Sequence, residues 1–458
     1  MRSRFTVRAP RTPRASLRTF AAAAGVAALT LTAACSGSDG SDGNVASNAP
    51  ALSSSPLDPN TKVTLTMWSG QTADAEKSLE NLAADYHKAH PNVTIDVTPG
   101  APTTDELLQK ISAGFVGNTF PDISYAFGSW ASQLGHSGHT LDLTSSVAVP
   151  GVDWGEFPGA ARQTATVDGK VIGVPAVVDN LGLVYNKKIF DDAHVPYPTD
   201  DWSWDDFRAA AKKLTDSGKG IFGTAYPVDG SEDTTWRLWP LLWQKGGDVL
   251  SPDGKKATFN SDAGVQALEF LRKMAVDDKS MYLDQTDQKF PQLFLDGKIA
   301  MQITGPWTLQ DMKTAGTDYG VTRLPGFGNN HETVSGPDIW VALDHHDVAR
   351  ATATRDFLLY LTSKDGDVKW SLANGNLPLR ASEQKTPEYE QFAKDFAPGA
   401  QKFVDNLNNA TKSRPTVPGY VEMSKHVGDA IAKVLQGDGS AKSALDQAAR
   451  ESEDALNQ

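Results

Sequence analysis

Eleven tryptophans, all beyond residue 60, are the most conspicuous chemical feature of this 458-residue chain. Several stand beside groups that hydrogen-bond in a plane. Trp307 follows Gly305-Pro306 at the end of an apolar run, which sets its ring at a strand edge. Trp340 lies two residues beyond Asp338, so both can face one side of a strand, just after the turn residues Ser335-Gly336-Pro337. Asp179 and Asn180 precede the apolar run Leu181–Tyr185, and Arg380 follows Pro378 in a loop. Gln71 and Phe127 each follow a strand, at the end where open α/β sheets receive ligands. Trp236, Trp239 and Trp243 share one face of a helix. Trp243 or Trp239 could reach a cleft lip, although a stripe packed on a sheet explains the set as well. Indole faces combined with carboxylates, amides and guanidinium hold a ligand by stacking and by planar hydrogen bonds. Each residue also has a bland reading: Trp307 and Trp340 as core indoles, Asp179 and Asn180 as turn residues, Arg380 as a surface arginine.

Other chemistry finds no foothold. The chain has no phosphate-binding loop, no Gly-x-Ser-x-Gly elbow and no His-Glu-x-x-His. His136, His139 and the pair His345-His346 lack metal-ligand spacing, and Asp365-Gly366-Asp367 is too short for a calcium loop. No metal and no cofactor are expected. The single cysteine, Cys35, excludes an intrachain disulfide framework and any zinc site of several thiolates. Basic residues number 43 and acidic 56, a net charge of −13. Arg2, Arg4, Arg8, Arg11, Arg14 and Arg18 all fall in the first 34 residues with no acid among them, so the remaining body is more acidic still. Such a body repels phosphate backbones, and nucleic acid is not an expected partner.

The first 34 residues read as a secretory signal: arginines, then the apolar run Phe20–Ala34, too short for a membrane span, ending in small side chains. Leu31-Thr32-Ala33-Ala34-Cys35 resembles a bacterial lipobox, with Thr32 departing from the usual aliphatic residue. Cys35 is thus the candidate lipidation site, and a plain secretory signal with an incidental cysteine is the alternative. Residues 35–61, rich in Ser, Gly and Asp, read as a flexible tether. Two or three acyl chains on Cys35 would hold the body stably on a membrane, where one would not.

The body has ordinary globular composition, 40% hydrophobic and 22% charged, and its length suits two or three domains. Strand and helix patterns alternate. Val63–Met67 alternates as a strand, Leu79, Leu82, Ala83 and Tyr86 recur at helical spacing, and Val93–Val97 is a second strand. Thr103-Thr-Asp-Glu106 is a capping box before a helix, and Pro121–Tyr125 a third strand. Further strands are expected at 171–175, 181–185, 221–226 and 299–303. Helices are expected from the Ser203–Asp206 capping box to Leu214, over 265–275, and through most of 348–458 with a stop at Gly437. This alternation predicts a largely parallel sheet with helices on both faces.

Several segments in order resemble the bacterial extracellular solute-binding proteins of the maltose-binding type, the receptor subunits of ABC importers. They are Trp68-Ser-Gly-Gln71, Pro121-Asp-Ile123, Gly173-Val-Pro175, Asp179 through Asn186-Lys-Lys-Ile-Phe190, and Phe294-Leu-Asp-Gly-Lys-Ile-Ala-Met301. Gly305-Pro-Trp307, Tyr319 through Pro325, Ser335-Gly-Pro-Asp338 and Gly375-Asn-Leu-Pro-Leu-Arg380 complete the set. The resemblance covers roughly 62–450. It implies an α/β fold of two lobes with a hinged cleft and a helical C-terminal region. By analogy the N-terminal lobe takes 62–177 plus 323–344, and the C-terminal lobe 178–322 plus 345–458. Crossings are expected near 175–180, 322–326 and 343–346. The cleft would bind a carbohydrate, a di- or oligosaccharide, with Trp307 as stacking platform. Trp340, Asp338, Asp179, Asn180, Gln71, Phe127, Trp243 and Arg380 would lie around it. The implied partners are the carbohydrate, the permease subunits in the membrane and the bilayer itself through Cys35, with the receptor a monomer on the outer face of the cell membrane. Two alternatives stay open: a secreted carbohydrate-active enzyme, which would need two carboxylates across a scissile bond, and a receptor of the same fold for a non-sugar solute.

Overall fold

The computed structural model describes Leu52 and residues 55–457, apart from 72, 102–103 and 374. The expected signal segment and Cys35 lie outside the described residues, as does Thr103 of the first capping box.

Two sheets organise the body, each with its own core. In the first, β1 (Val63–Trp68) is flanked by β2 (Val93–Thr98) and β3 (Ile123–Ala126), both parallel to it. Period-two alternation turns Val63, Leu65 and Met67 inward, into a core shared with buried residues of α1 (Ala73–Ala89) and α2 (Thr104–Gly117). β4 (Gly173–Val177) lies at the other edge of this sheet. The second sheet has β5 (Gly182–Asn186) at its centre, between β6 (Met301–Thr304) and β7 (Tyr319–Arg323), both antiparallel to it. The chain then returns, and β8 (Asp338–Ala342) inserts between β3 and β4 of the first sheet, antiparallel to both.

The first sheet is therefore mixed, where a largely parallel one was expected. Connectivity is the reason. β3 and β4 run towards the second sheet, and β8 enters from that side, so it must run the opposite way. The same geometry gathers particular residues. The register Ile339↔Ala126 sets Asp338 level with the end of β3, where Phe127 follows, and Asp338↔Val177 sets it beside the exit of β4, where Asp179 follows. In the second sheet, Thr304 and Arg323 both pair with Gly182, which places Gly305–Trp307 at the end facing the first sheet.

Local signals hold where they are strongest. Ser203 caps α3 (Trp204–Leu214), its hydroxyl accepting from Asp206 N–H at 3.1 Å while Asp206 Oδ2 accepts from Ser203 N–H at 3.0 Å. The expected strand at 221–226 shifts to Thr224–Pro227. The helix expected over 265–275 is α helix over Asp262–Arg272 and continues as a π turn, Lys273–Asp277. The tail is mostly helical, and Gly437, at φ +93°, follows the helix Tyr420–Leu435.

The tail divides differently from the expected assignment of 345–458 to the second lobe. The helices Val348–Leu361 and Lys364–Ala373 pack with the first sheet, since Phe357, Leu358, Leu361 and Trp370 share its core. An ion pair fixes this side. Arg350 donates to both carboxylate oxygens of buried Asp122 at 2.8 Å, and Asp122 also accepts from Thr66 N–H at 2.8 Å. The chain rejoins the second side only later, at Leu377 and Leu379, which pack with Phe294 and Leu309.

Candidate functional site

The loops where the two sheets face each other form a buried polar cluster ringed by aromatic side chains. Asp338, first residue of β8, is its centre. Its Oδ2 accepts from the Tyr125 hydroxyl at 2.6 Å, and its Oδ1 accepts from Gly128 N–H at 2.8 Å and from Arg414 Nη2 at 2.6 Å. The Arg414 guanidinium lies 5.5 Å from the centre of the Phe127 ring and 5.5 Å from that of Trp236, a cation facing two π systems. On the second side Arg414 Nη1 stands 3.8 Å from Glu232 Oε1. Glu232 accepts from the hydroxyls of Tyr420 at 2.9 Å and Ser424 at 2.6 Å, and Trp239 Nε1 donates to Tyr420 at 3.0 Å. Burial raises the Glu232 carboxyl above the usual range, against the pull of Arg414.

Asp179 sits beside this cluster. Its carbonyl accepts from Gly336 N–H at 2.9 Å, closing the two crossing segments on each other. Its side chain is different: Oδ1 is buried with no partner, and the residue is only 8% exposed. Burial, then the charge of Asp338, push its carboxyl well above the ordinary value, with Arg414 opposing.

Two indoles complete the aromatic rim. Trp236 and Trp307 have ring centres 6.2 Å apart and planes 26° apart, and Trp236 Nε1 donates to Asp233 at 3.0 Å. Two glycines permit this. A Cβ on Gly305 would fall 1.8 Å from Cζ3 of Trp307, and one on Gly336 would fall 2.9 Å from Cζ3 of Trp236. Trp307 and Phe127 are only partly buried.

The structure brings Asp338, Asp179, Phe127 and Trp307 to this junction. Gln71 is half-buried at the end of β1, next to Gly70, where a Cβ would lie 3.4 Å from the Tyr125 side chain. The other candidates are placed elsewhere. Trp340, 1% exposed, stacks edge-on against Tyr125 and Trp370 inside the first core. Asn180 is fully buried and bonds the fold to itself, donating to Phe403 O at 2.9 Å and accepting from Asn406 at 3.0 Å. Trp243 is a core indole whose Nε1 donates to Asp248, and Trp239 is likewise in the core. Arg380 lies over the Phe157 ring at 4.1 Å and donates to Val152 O at 3.1 Å, beside a separate hollow of about 330 Å³. Of the tryptophan trio it is Trp236 that reaches the junction. The three do not share one helix face as expected: Trp236 ends the short helix Glu232–Trp236, while Trp239 and Trp243 lie on the next helix, Trp239–Gln244, and face the core.

Arg414, Glu232 and Tyr125 escaped sequence reasoning. Arg414 stands in the unremarkable stretch Lys412-Ser-Arg-Pro415, over seventy residues from Asp338, and nothing local marks it. Stacking faces, a carboxyl with one unpartnered oxygen and a guanidinium can together hold a ligand that offers apolar faces and a rim of donors. No helix among the described residues is long and apolar enough to cross a membrane.

Comparison with known proteins agrees with this layout. The family model described as bacterial extracellular solute-binding protein matches residues 81–397. A putative binding protein of Brucella abortus is 25% identical over 411 residues, covering 87% of this chain and 94% of the relative. The galactooligosaccharide-binding protein of Bacillus subtilis is 24% identical over 417 residues, 89% of this chain and 92% of the relative. Among solved structures, an ABC substrate-binding protein from Listeria monocytogenes in complex with cycloalternan superposes with a TM-score of 0.74 at 25% identity, covering 86% of this chain and 98% of the other.

Proposed function

The chain belongs to the bacterial extracellular solute-binding proteins, and from that premise we propose that it captures a di- or oligosaccharide and hands it, unchanged, to the membrane subunits of an ABC importer. The observation that supports this most is the meeting of Trp307, Trp236 and Phe127 with Asp179, Asp338 and Arg414 where the two sheets face each other. Indole and phenyl faces take the C–H faces of a pyranose, and the charged groups take its hydroxyls. Two cores joined by crossing segments suit a hinge, and a ligand that touches both sides shifts the population to the closed form by its differential affinity alone. Relatives named for galactooligosaccharide and maltodextrin binding support the ligand class.

The enzyme alternative gains no support from the two central carboxylates. Asp338 is occupied by Tyr125, Gly128 and Arg414 and is not free to act as nucleophile or base. Titration of the purified protein with a panel of di- to hexasaccharides, read by calorimetry, tryptophan fluorescence and small-angle scattering, tests the proposal. A saccharide that binds, compacts the particle and is recovered intact is the expected result. New reducing ends, or flat titrations across the panel, would overturn it.

Cys35 carries the proposed membrane attachment. Cys35→Ala expressed in the native host is expected to move the protein from the membrane pellet to the soluble fraction, because no other acylation site is proposed. Retention of the variant with membranes would refute the anchor.

A further inference from the structure

The charges at the junction do not balance. Three carboxylates, Asp179, Asp338 and Glu232, converge there on one buried cation, Arg414. Arg414 is already committed to Asp338 at 2.6 Å and leans on Glu232 at 3.8 Å. Glu232 has further support from the Tyr420 and Ser424 hydroxyls, and Asp338 from Tyr125 and Gly128. Asp179 has none of this. Its Oδ1 is buried and unpartnered, the residue is more than nine-tenths buried, and Gly336 lies close to its Cβ. A buried carboxylate without a donor is costly, and a site that retains one calls for a partner from outside the chain. The count of three acids to one guanidinium favours a positive partner.

We propose that the saccharide this site takes carries a basic nitrogen, an amino sugar or amine-linked pseudo-oligosaccharide, whose protonated amine seats against Asp179 Oδ1. This rests on the reading of the junction as a saccharide site. Without ligand, burial and then the charge of Asp338 push the Asp179 carboxyl well above its ordinary value, with Arg414 opposing, so it holds a proton more readily than a free aspartate does. The arriving ammonium supplies the missing charge, and the carboxyl proton leaves to solvent. The amine stays protonated and no bond is made or broken in the ligand.

Matched pairs test this. Chitosan di- to tetrasaccharides (free amines) and acarbose would be titrated by calorimetry against their N-acetylated counterparts and maltotetraose. The amines are expected to bind about ten- to a hundredfold tighter, the range of a hydrogen bond to a charged group. Their heats should depend on the ionisation enthalpy of the buffer, reporting a released proton. In Asp179→Asn the amine-to-neutral affinity ratio should fall towards one and the buffer dependence vanish. Neutral saccharides binding as tightly as amines, or an amine preference that survives Asp179→Asn, would overturn the charge assignment while leaving the saccharide reading intact. Absence of binding by every member of both sets would overturn the saccharide reading itself.

Discussion

Trp307→Ala is expected to weaken saccharide binding by about thirtyfold or more, a loss of ~2 kcal/mol or above, since truncating a central tryptophan removes a stacking face and the dry patch beneath it. The residue is only partly buried at the edge of the core, so its loss should lower the thermal midpoint less than loss of a fully buried indole would. Trp340→Phe gives the contrast. That indole is 1% exposed between Tyr125 and Trp370, and trimming it should cost stability, about 0.5–3 kcal/mol, while the dissociation constant holds. Calorimetric titration and denaturant unfolding on both variants check the pair. Equal affinity loss in the two, or undiminished binding in Trp307→Ala, would remove Trp307 from the site.

Asp338→Asn should be the most damaging conservative change in the molecule. It keeps the shape but leaves the Arg414 guanidinium buried with Glu232, 3.8 Å away, as its nearest acid. Removing one member of a buried ion pair costs about 3–5 kcal/mol, because the remaining charge stays out of water. The cost is to folding and to binding together, for the same guanidinium bridges β8 to the helix that carries Trp236. Adding Arg414→Met to Asp338→Asn should restore part of the stability, since no lone charge then remains, but not the affinity. Urea midpoints on the single and double variants measure this. A single variant as stable as the parent would mean that Arg414 finds another counter-charge.

Some of this molecule follows from local pattern. The alternation Val63-Thr-Leu-Thr-Met67, the Ser203–Asp206 capping box and the stop at Gly437 each report an interaction between residues within a few positions, and each appears where expected. Trp307 was legible too, from its place after Gly305-Pro306 at the end of an apolar run; that Gly305 must lack a side chain for the ring to fold back over it is visible only in the structure. Asp338 and Asp179 were legible as residues next to turns and strand ends, though not as neighbours of each other. Trp340 was misassigned because period-two geometry says which side of a strand a residue faces and not what covers that side. Here α-helical packing brings Trp370 over it. Arg380 and Asn180 were misassigned for a related reason: a polar residue in a loop is read as exposed, and these two are turned inward to satisfy Val152, Phe403 and Asn406.

From sequence alone came the kind of elements, the order of two α/β halves, and the presence of stacking and planar polar groups, since these rest on near neighbours and on composition. Only the folded chain decided that β8 runs against β3, that the helices after 347 return to the first core, and that Arg414 closes on Asp338. Those outcomes depend on groups far apart along the chain that must share one small, dry volume. There, charge neutrality and hydrogen-bond satisfaction select among partners that no local spacing can distinguish.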